Sequence, residues 1–247
     1  MIATLPMYDR PETAAAHDAY WRAIRARLGH GPEALRRDGD PWAAWRAPDL
    51  LLAQTCGLPF RSRLHGSVAL VGTPDFGLEG CAPGYYRSIF VARADDPGEL
   101  ADFAGRRFAC NDPLSQSGWA APAIHFSDAG LEFGPLLWTG GHAASARAVA
   151  EGRADLAAID AMSWRLIRRH DAFAARLREV AATLPTPGLP YITADAGLVA
   201  PLGQAIASAI SDLPERHRAA LCLQGLVTIP EAAYLAVPMP PEVAHPA

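Results

Sequence analysis

Two serines stand two residues apart in Asn111-Asp112-Pro113-Leu114-Ser115-Gln116-Ser117-Gly118, directly after the apolar run Phe108-Ala109-Cys110 and directly before the helix-capable stretch 119–126. Strand, polar turn, helix is the order that brings hydroxyls and unpaired backbone N–H groups to a helix N-terminus. Such a terminus is suited to an oxyanion. The chemistry on offer is donation to a fixed anion. Serine is also the ordinary N-cap residue, so the same turn has a plain reading as a cap.

A second polar constellation lies downstream, Thr139-Gly140-Gly141-His142 with Ser145, then small and apolar residues to Glu151, Gly152, and the run Leu156-Ala157-Ala158-Ile159-Asp160. The spacing predicts a helix opening at His142, a stop at Gly152 and a short buried strand closing at Asp160. In an α/β domain a helix start and a strand end both lie at the carboxyl edge of the sheet, where ligands bind. A helix-cap histidine and a capping aspartate are the plain alternatives for each residue taken alone. Two polar groups at equivalent edges of consecutive βα units favour a shared site.

These segments resemble a known family. Tyr85-Tyr86-Arg87-Ser88 with Val91, Arg93 and Asp95, Leu100 to Arg107, the Asn111–Gly118 turn, Gly140 to Ser145, Ala148 to Asp155, and Asp160 are similar to the ligand-binding half of the phosphate, phosphite and phosphonate binding proteins of ABC transporters. The likeness runs through most of residues 85 to 190. Outside that span it rests on Leu5-Pro6-Met7-Tyr8 and the Gln54-Thr55-Cys56-Gly57 turn. It implies an α/β, two-lobed type II periplasmic-binding-protein clamshell, each lobe a mixed sheet flanked by helices. Residues 1–88 and 188–247 would form lobe 1, and residues 89–187 lobe 2. It also implies that Ser115, Gln116, Ser117 and Gly118 hold the oxyanion, His142 donates to it, Asp160 accepts from a protonated oxygen, and Tyr8 contributes from the other lobe. Gln116 departs from the family pattern, which often has Thr there. The implied ligand is a phosphonate, phosphite or phosphate, taken up through an ABC transporter whose permease would be the partner. Neither catalysis, cofactor nor metal is implied.

Composition sets bounds on the same reading. In a chain of 247 residues, half of them apolar, there is material for one large core or two modest ones. The formal net charge of −4 offers no general attraction to nucleic acid or an anionic membrane, so an anion must be held by local N–H and O–H donors. No stretch approaches the roughly 20 apolar residues of a membrane span. Cys56, Cys81, Cys110 and Cys222 are widely spaced without a C-x-x-C pair, and the eight histidines form no H-x-x-x-H pair, so metal-ligand spacing is absent. The cysteines are expected as free thiols, or as one disulfide involving Cys56 or Cys81 if the chain is exported. The family resemblance implies a periplasmic protein. Met1 to Tyr8 reads as a strand and not as a leader, so a cytoplasmic location is expected if Met1 is the true start.

Periodicity supplies the supporting elements. Strands are expected at 2–8, up to Thr55-Cys56, at 68–71, at 86–93 crossing between lobes, at 107–111, 136–139 and up to Asp160, and at 179–184 as the return strand. Helices are expected at 13–28, around Trp42 and Trp45, after Gly118, after His142, from Ser163 to about Arg169, and at 202–210 and 215–223. The Gly- and Pro-containing stretch 73–84 reads as a loop, and the last dozen residues as an irregular tail. Two crossings between lobes allow hinge bending.

Two other functional classes share these residues. Serine, histidine and aspartate are the residue types of a hydrolase triad, but the G-x-S-x-G elbow is missing and triads are defined by geometry. A cytoplasmic ligand sensor on the same clamshell is the other alternative, with the Arg-rich helix 165–178 as a partner face.

Overall fold

The computed structural model describes residues 1–241. They fall into two compact units: Met1–Tyr85 with Pro187–Ala236, and Tyr86–Thr186. Ser88 belongs to the second unit and Val237 to Pro241 group with it, where the sequence reading placed them in the first. The chain passes between units through Tyr85–Tyr86 (β4) and Thr186–Pro187 (β10), which pair with each other.

The first unit is built on Ile2–Thr4 (β1), Leu50–Gln54 (β2), Ala69–Asp75 (β3), Tyr191–Thr193 (β11) and Gly225–Val227 (β12), in the order β1-β2-β11-β3-β12. β1 and β2 are parallel, while β11 and β12 run antiparallel to their neighbours. Ala14–Leu28 (α1) buries Ala16, His17, Tyr20, Trp21 and Ile24, a single stripe at helical spacing, and ends where Gly29 takes the left-handed conformation. That stripe packs with Leu202, Ile206 and Ile210 of Val199–Asp212 (α7) over one face of the sheet. The other face is covered by Trp45 of Pro41–Trp45 (α2), Phe60 just after Gly57–Pro59 (α3), and Tyr234 of Glu231–Leu235 (α9). Glu215–Leu221 (α8) lies against α1.

The second unit orders Leu136–Trp138 (β7), Phe108–Cys110 (β6), Leu156–Asp160 (β8), Ser88–Arg93 (β5) and Leu177–Ala182 (β9) as β7-β6-β8-β5-β9. β6 is parallel to β7 and β8, and β5 is antiparallel to β8 and β9. Every residue of β8 is buried, as a central strand covered on both faces requires. Alternation decides which face each residue serves. Val91, Ala157 and Ile159 point to a core shared with Val149, Trp164 and Ile167, while Phe90, Leu156 and Ala158 join Phe103, Phe108, Trp119 and Phe126 on the other side. The covering helices are His142–Ala150 (α5) and Ala161–His170 (α6) on the first face and Ala121–Asp128 (α4) on the second.

Several expectations are corrected. β1 stops at Thr4, and Leu5, Pro6 and Met7 lead into a turn. Thr73 to Asp75 extend β3 instead of opening a loop, because they pair with β12, a partner 150 residues on. β11, β12 and α9 were not anticipated. The return strand is Leu177–Ala182, leaving Leu184 exposed, and α6 begins at Ala161, directly after its cap. The expected tail overlaps residues 242–247, which lie outside the described residues. All four cysteines are free thiols, and burial pushes the Cys110 thiol up to about 12. Among the described residues no single helix is long and apolar enough to cross a membrane, and no group of three His, Cys, Asp or Glu side chains could hold a metal.

Candidate functional site

The carboxyl ends of β6, β7 and β8 share one edge of the second sheet. Because β5 runs the other way, its first residue, Ser88, starts at that edge too, opposite Asp160. The topology therefore gathers the Asn111–Gly118 turn, the Thr139–His142 turn, Asp160 and Ser88 in one place.

The serine turn is wound as a π-turn, Gln116–Ala120, leading straight into α4. Ser115 is its N-cap: the hydroxyl oxygen accepts the Gly118 N–H at 2.9 Å. An oxygen that accepts this bond still has its own proton to donate. Asp112 shapes the approach by accepting the Leu114 N–H at 2.7 Å. Ser115, Gln116 and Ser117 are all buried. Gly118 leaves room for the Asn111 amide, which a side-chain carbon there would force to shift.

The Ser117 hydroxyl lies 3.0 Å from His142 Nε2, so two residues 25 apart in sequence meet across neighbouring βα units. Gly141 caps α5 without any side chain, leaving the N–H groups of its first turn with no intrahelical acceptor. A partly buried brace fixes that terminus: the Thr139 hydroxyl is 2.7 Å from the Ser145 hydroxyl and also reaches the Cys110 and Gly141 carbonyls. His142 is half-buried, and the protein packed around it pushes its pKa down to about 4, opposed by the nearby Ala158 carbonyl. At neutral pH the ring is uncharged. The Ser117 hydroxyl and the Ala158 carbonyl are the polar groups that act on the ring.

Asp160 is buried at the end of β8, with Oδ1 accepting the Ser163 N–H at 2.8 Å as the N-cap of α6. The capping readings of Ser115 and Asp160 are thus real, and they coexist with a place at the common edge. Tyr8 sits in the first unit, four residues beyond β1. It is buried, edge-on to Phe76 at 5.1 Å, and its carbonyl accepts the Thr13 hydroxyl.

Sequence reasoning missed Ser88 and Thr183. Ser88 Oγ donates to the Ser117 carbonyl at 2.8 Å, and the Ser88 N–H donates to Thr183 Oγ1 at 3.0 Å. A hydroxyl directly before the four apolar residues Ile89 to Ala92 was the available signal.

Sheets of this order, with helix N-termini and polar turns at the carboxyl edge, define the periplasmic-binding-protein fold. A family model described as "ABC transporter, phosphonate, periplasmic substrate-binding protein" matches residues 51–232, and the chain belongs to that family of solute-binding proteins. Among solved structures it is similar to PhnD1 from Prochlorococcus marinus in complex with methylphosphonate, with a TM-score of 0.75, 15% identity, and 94% of each chain covered. It is also similar to a binding protein component of an ABC phosphonate transporter from Pseudomonas aeruginosa, with a TM-score of 0.72, 17% identity, and coverage of 95% of this chain and 82% of that one. A histidine kinase sensor domain shares the fold at a TM-score of 0.61 and 17% identity, with 92% and 97% covered. No curated protein matches the chain in sequence.

Proposed function

We propose that this chain binds a phosphonate-like or phosphate-like oxyanion at the carboxyl edge of its second unit, without chemical conversion, and hands it to an ABC transporter permease. Ser115, Ser117 and His142 are the donors, Gln116 and Gly118 form the turn that holds them, Asp160 is the acceptor, and Tyr8 is added by the family resemblance alone. The observation that carries this reading is the 3.0 Å meeting of Ser117 Oγ and His142 Nε2 beside two helix N-termini. Donors of this kind, held by strand ends, can replace the hydration of an anion without a full opposite charge.

Asp160 makes the choice of anion testable. A carboxylate facing an anion is repulsive unless the anion brings a proton, which a phosphonate or phosphate monoanion does and sulfate does not. Calorimetry is expected to show methylphosphonate bound and sulfate rejected. Ser117→Ala should weaken methylphosphonate binding by roughly 1.5 to 3 kcal/mol, the range for a hydrogen bond to a charged group. Asp160→Asn keeps a good N-cap and should narrow the gap to sulfate. Equal binding of both anions by the unmodified protein would remove Asp160 from the site. Unchanged affinity in Ser117→Ala would return that serine to a structural part of the turn.

A further inference from the structure

The serine turn is wound one residue looser than the helix it leads into. The Ala120 N–H donates to the Ser115 carbonyl at 3.0 Å, which also takes the Trp119 N–H at 3.2 Å, and the Ala121 N–H donates to the Gln116 carbonyl, so Ala120 and Ala121 reach back five residues. By the same pattern the Ser117 carbonyl falls to residue 122, which is Pro122 and has no N–H to give. A buried carbonyl left without a donor is costly. The Ser88 hydroxyl supplies the donor from another strand, at 2.8 Å.

Ser88 is itself firmly held. It is 1% exposed, it stands opposite Asp160 in the β5–β8 ladder, and it exchanges two hydrogen bonds with Thr183: its N–H to Thr183 Oγ1, and the Thr183 N–H to its carbonyl, each 3.0 Å. Ser88 and Thr183 lie just inside the points where the chain enters and leaves the second unit.

We propose that Ser88 is a positioning residue for the oxyanion site. It takes the place of the N–H that Pro122 lacks, keeps the serine turn in its looser register, and so aims the Ser117 hydroxyl at His142 and the anion. Without that hydroxyl the nearest donor for the Ser117 carbonyl is the Ala121 N–H. Taking it would tighten the turn to α-helical register and rotate the serine side chains by roughly 100° about the helix axis. The consequence for ligand rests on the proposed anion site, while the register does not.

The test uses Ser88→Ala, Ser88→Thr, and Ser88→Ala combined with Pro122→Ala, which restores a backbone N–H where the looser register needs one. In ligand-free protein, hydrogen exchange across residues 115–122 should quicken in Ser88→Ala and return to the unmodified rate in Ser88→Thr and in the double variant. Methylphosphonate affinity should fall about tenfold in Ser88→Ala and recover in the other two. Unchanged exchange in Ser88→Ala, or a loss that neither Ser88→Thr nor the added Pro122→Ala repairs, overturns the proposal, since a simple packing defect would not respond to a new N–H at residue 122. If the unmodified protein fails to bind methylphosphonate while the exchange pattern holds, the anion reading fails and the positioning of the turn stands.

Discussion

Which atom holds the proton between Ser117 Oγ and His142 Nε2 decides what the pair offers a ligand. If the ring nitrogen donates, the serine proton is left to point at the anion; if the serine donates, it is not. Burial holds the ring neutral, with its pKa pushed from the ordinary 6.5 down to about 4. The sign of the pH effect follows: the unfolded chain takes up the proton first, so stability present above pH 6.5 is lost as the pH falls toward 4. That loss is on the order of 3 kcal/mol at most. An anion against the ring favours its charged form and raises the pKa. Binding of methylphosphonate at pH 5, where the ligand keeps one charge, should therefore take up a proton. Calorimetry at that pH in two buffers of different ionisation enthalpy reads this directly, and zero net uptake would separate His142 from the anion.

At the scale of elements, the site depends on how turns are spaced into helices. Gly118 lies under the Asn111 amide, and the Asn111 carbonyl accepts the Gly140 N–H, so this one residue links the serine turn to the His142 turn. Gly118→Ala should push the amide aside and disturb both turns at once. The expected result is a melting temperature lower by several degrees, as about 1–3 kcal/mol of overpacking strain would give, together with loss of methylphosphonate binding. Retained affinity at a lowered melting temperature would show that the two turns bind independently of their link.

At the scale of the whole molecule, each unit has its own hydrophobic cores: Trp21, Ile24 and Ile206 on one face and Phe60 and Tyr234 on the other in the first, and those around Ile159 and Phe126 in the second. Unfolding as a single step is not required of such a chain. A ligand held by Ser115, Ser117 and His142 should raise the transition of the second unit, by about 2.7 kcal/mol at 100 times its dissociation constant. Differential scanning calorimetry with methylphosphonate, and with sulfate as control, checks this. A shift of equal size with both salts would mark a general ionic effect and not a site.

The sequence by itself determined the repeating plan of the second unit. Each apolar run closed on a polar turn and reopened as a helix, at Cys110 to Ala121, Trp138 to His142 and Asp160 to Ala161, because strand and helix periodicities and caps are local properties. The types of residue at those turns made Ser115, Ser117, His142 and Asp160 legible as a constellation. Only tertiary structure decided the rest. β11 and β12 are antiparallel strands of three residues each, held in place by hydrogen bonds that β2 and β3 offer from far along the chain. The looser winding of the serine turn, and the role of Ser88 in it, depend on a donor 29 residues away. The low pKa of His142 was equally invisible, since desolvation is set by the atoms packed around a group and not by its neighbours in sequence.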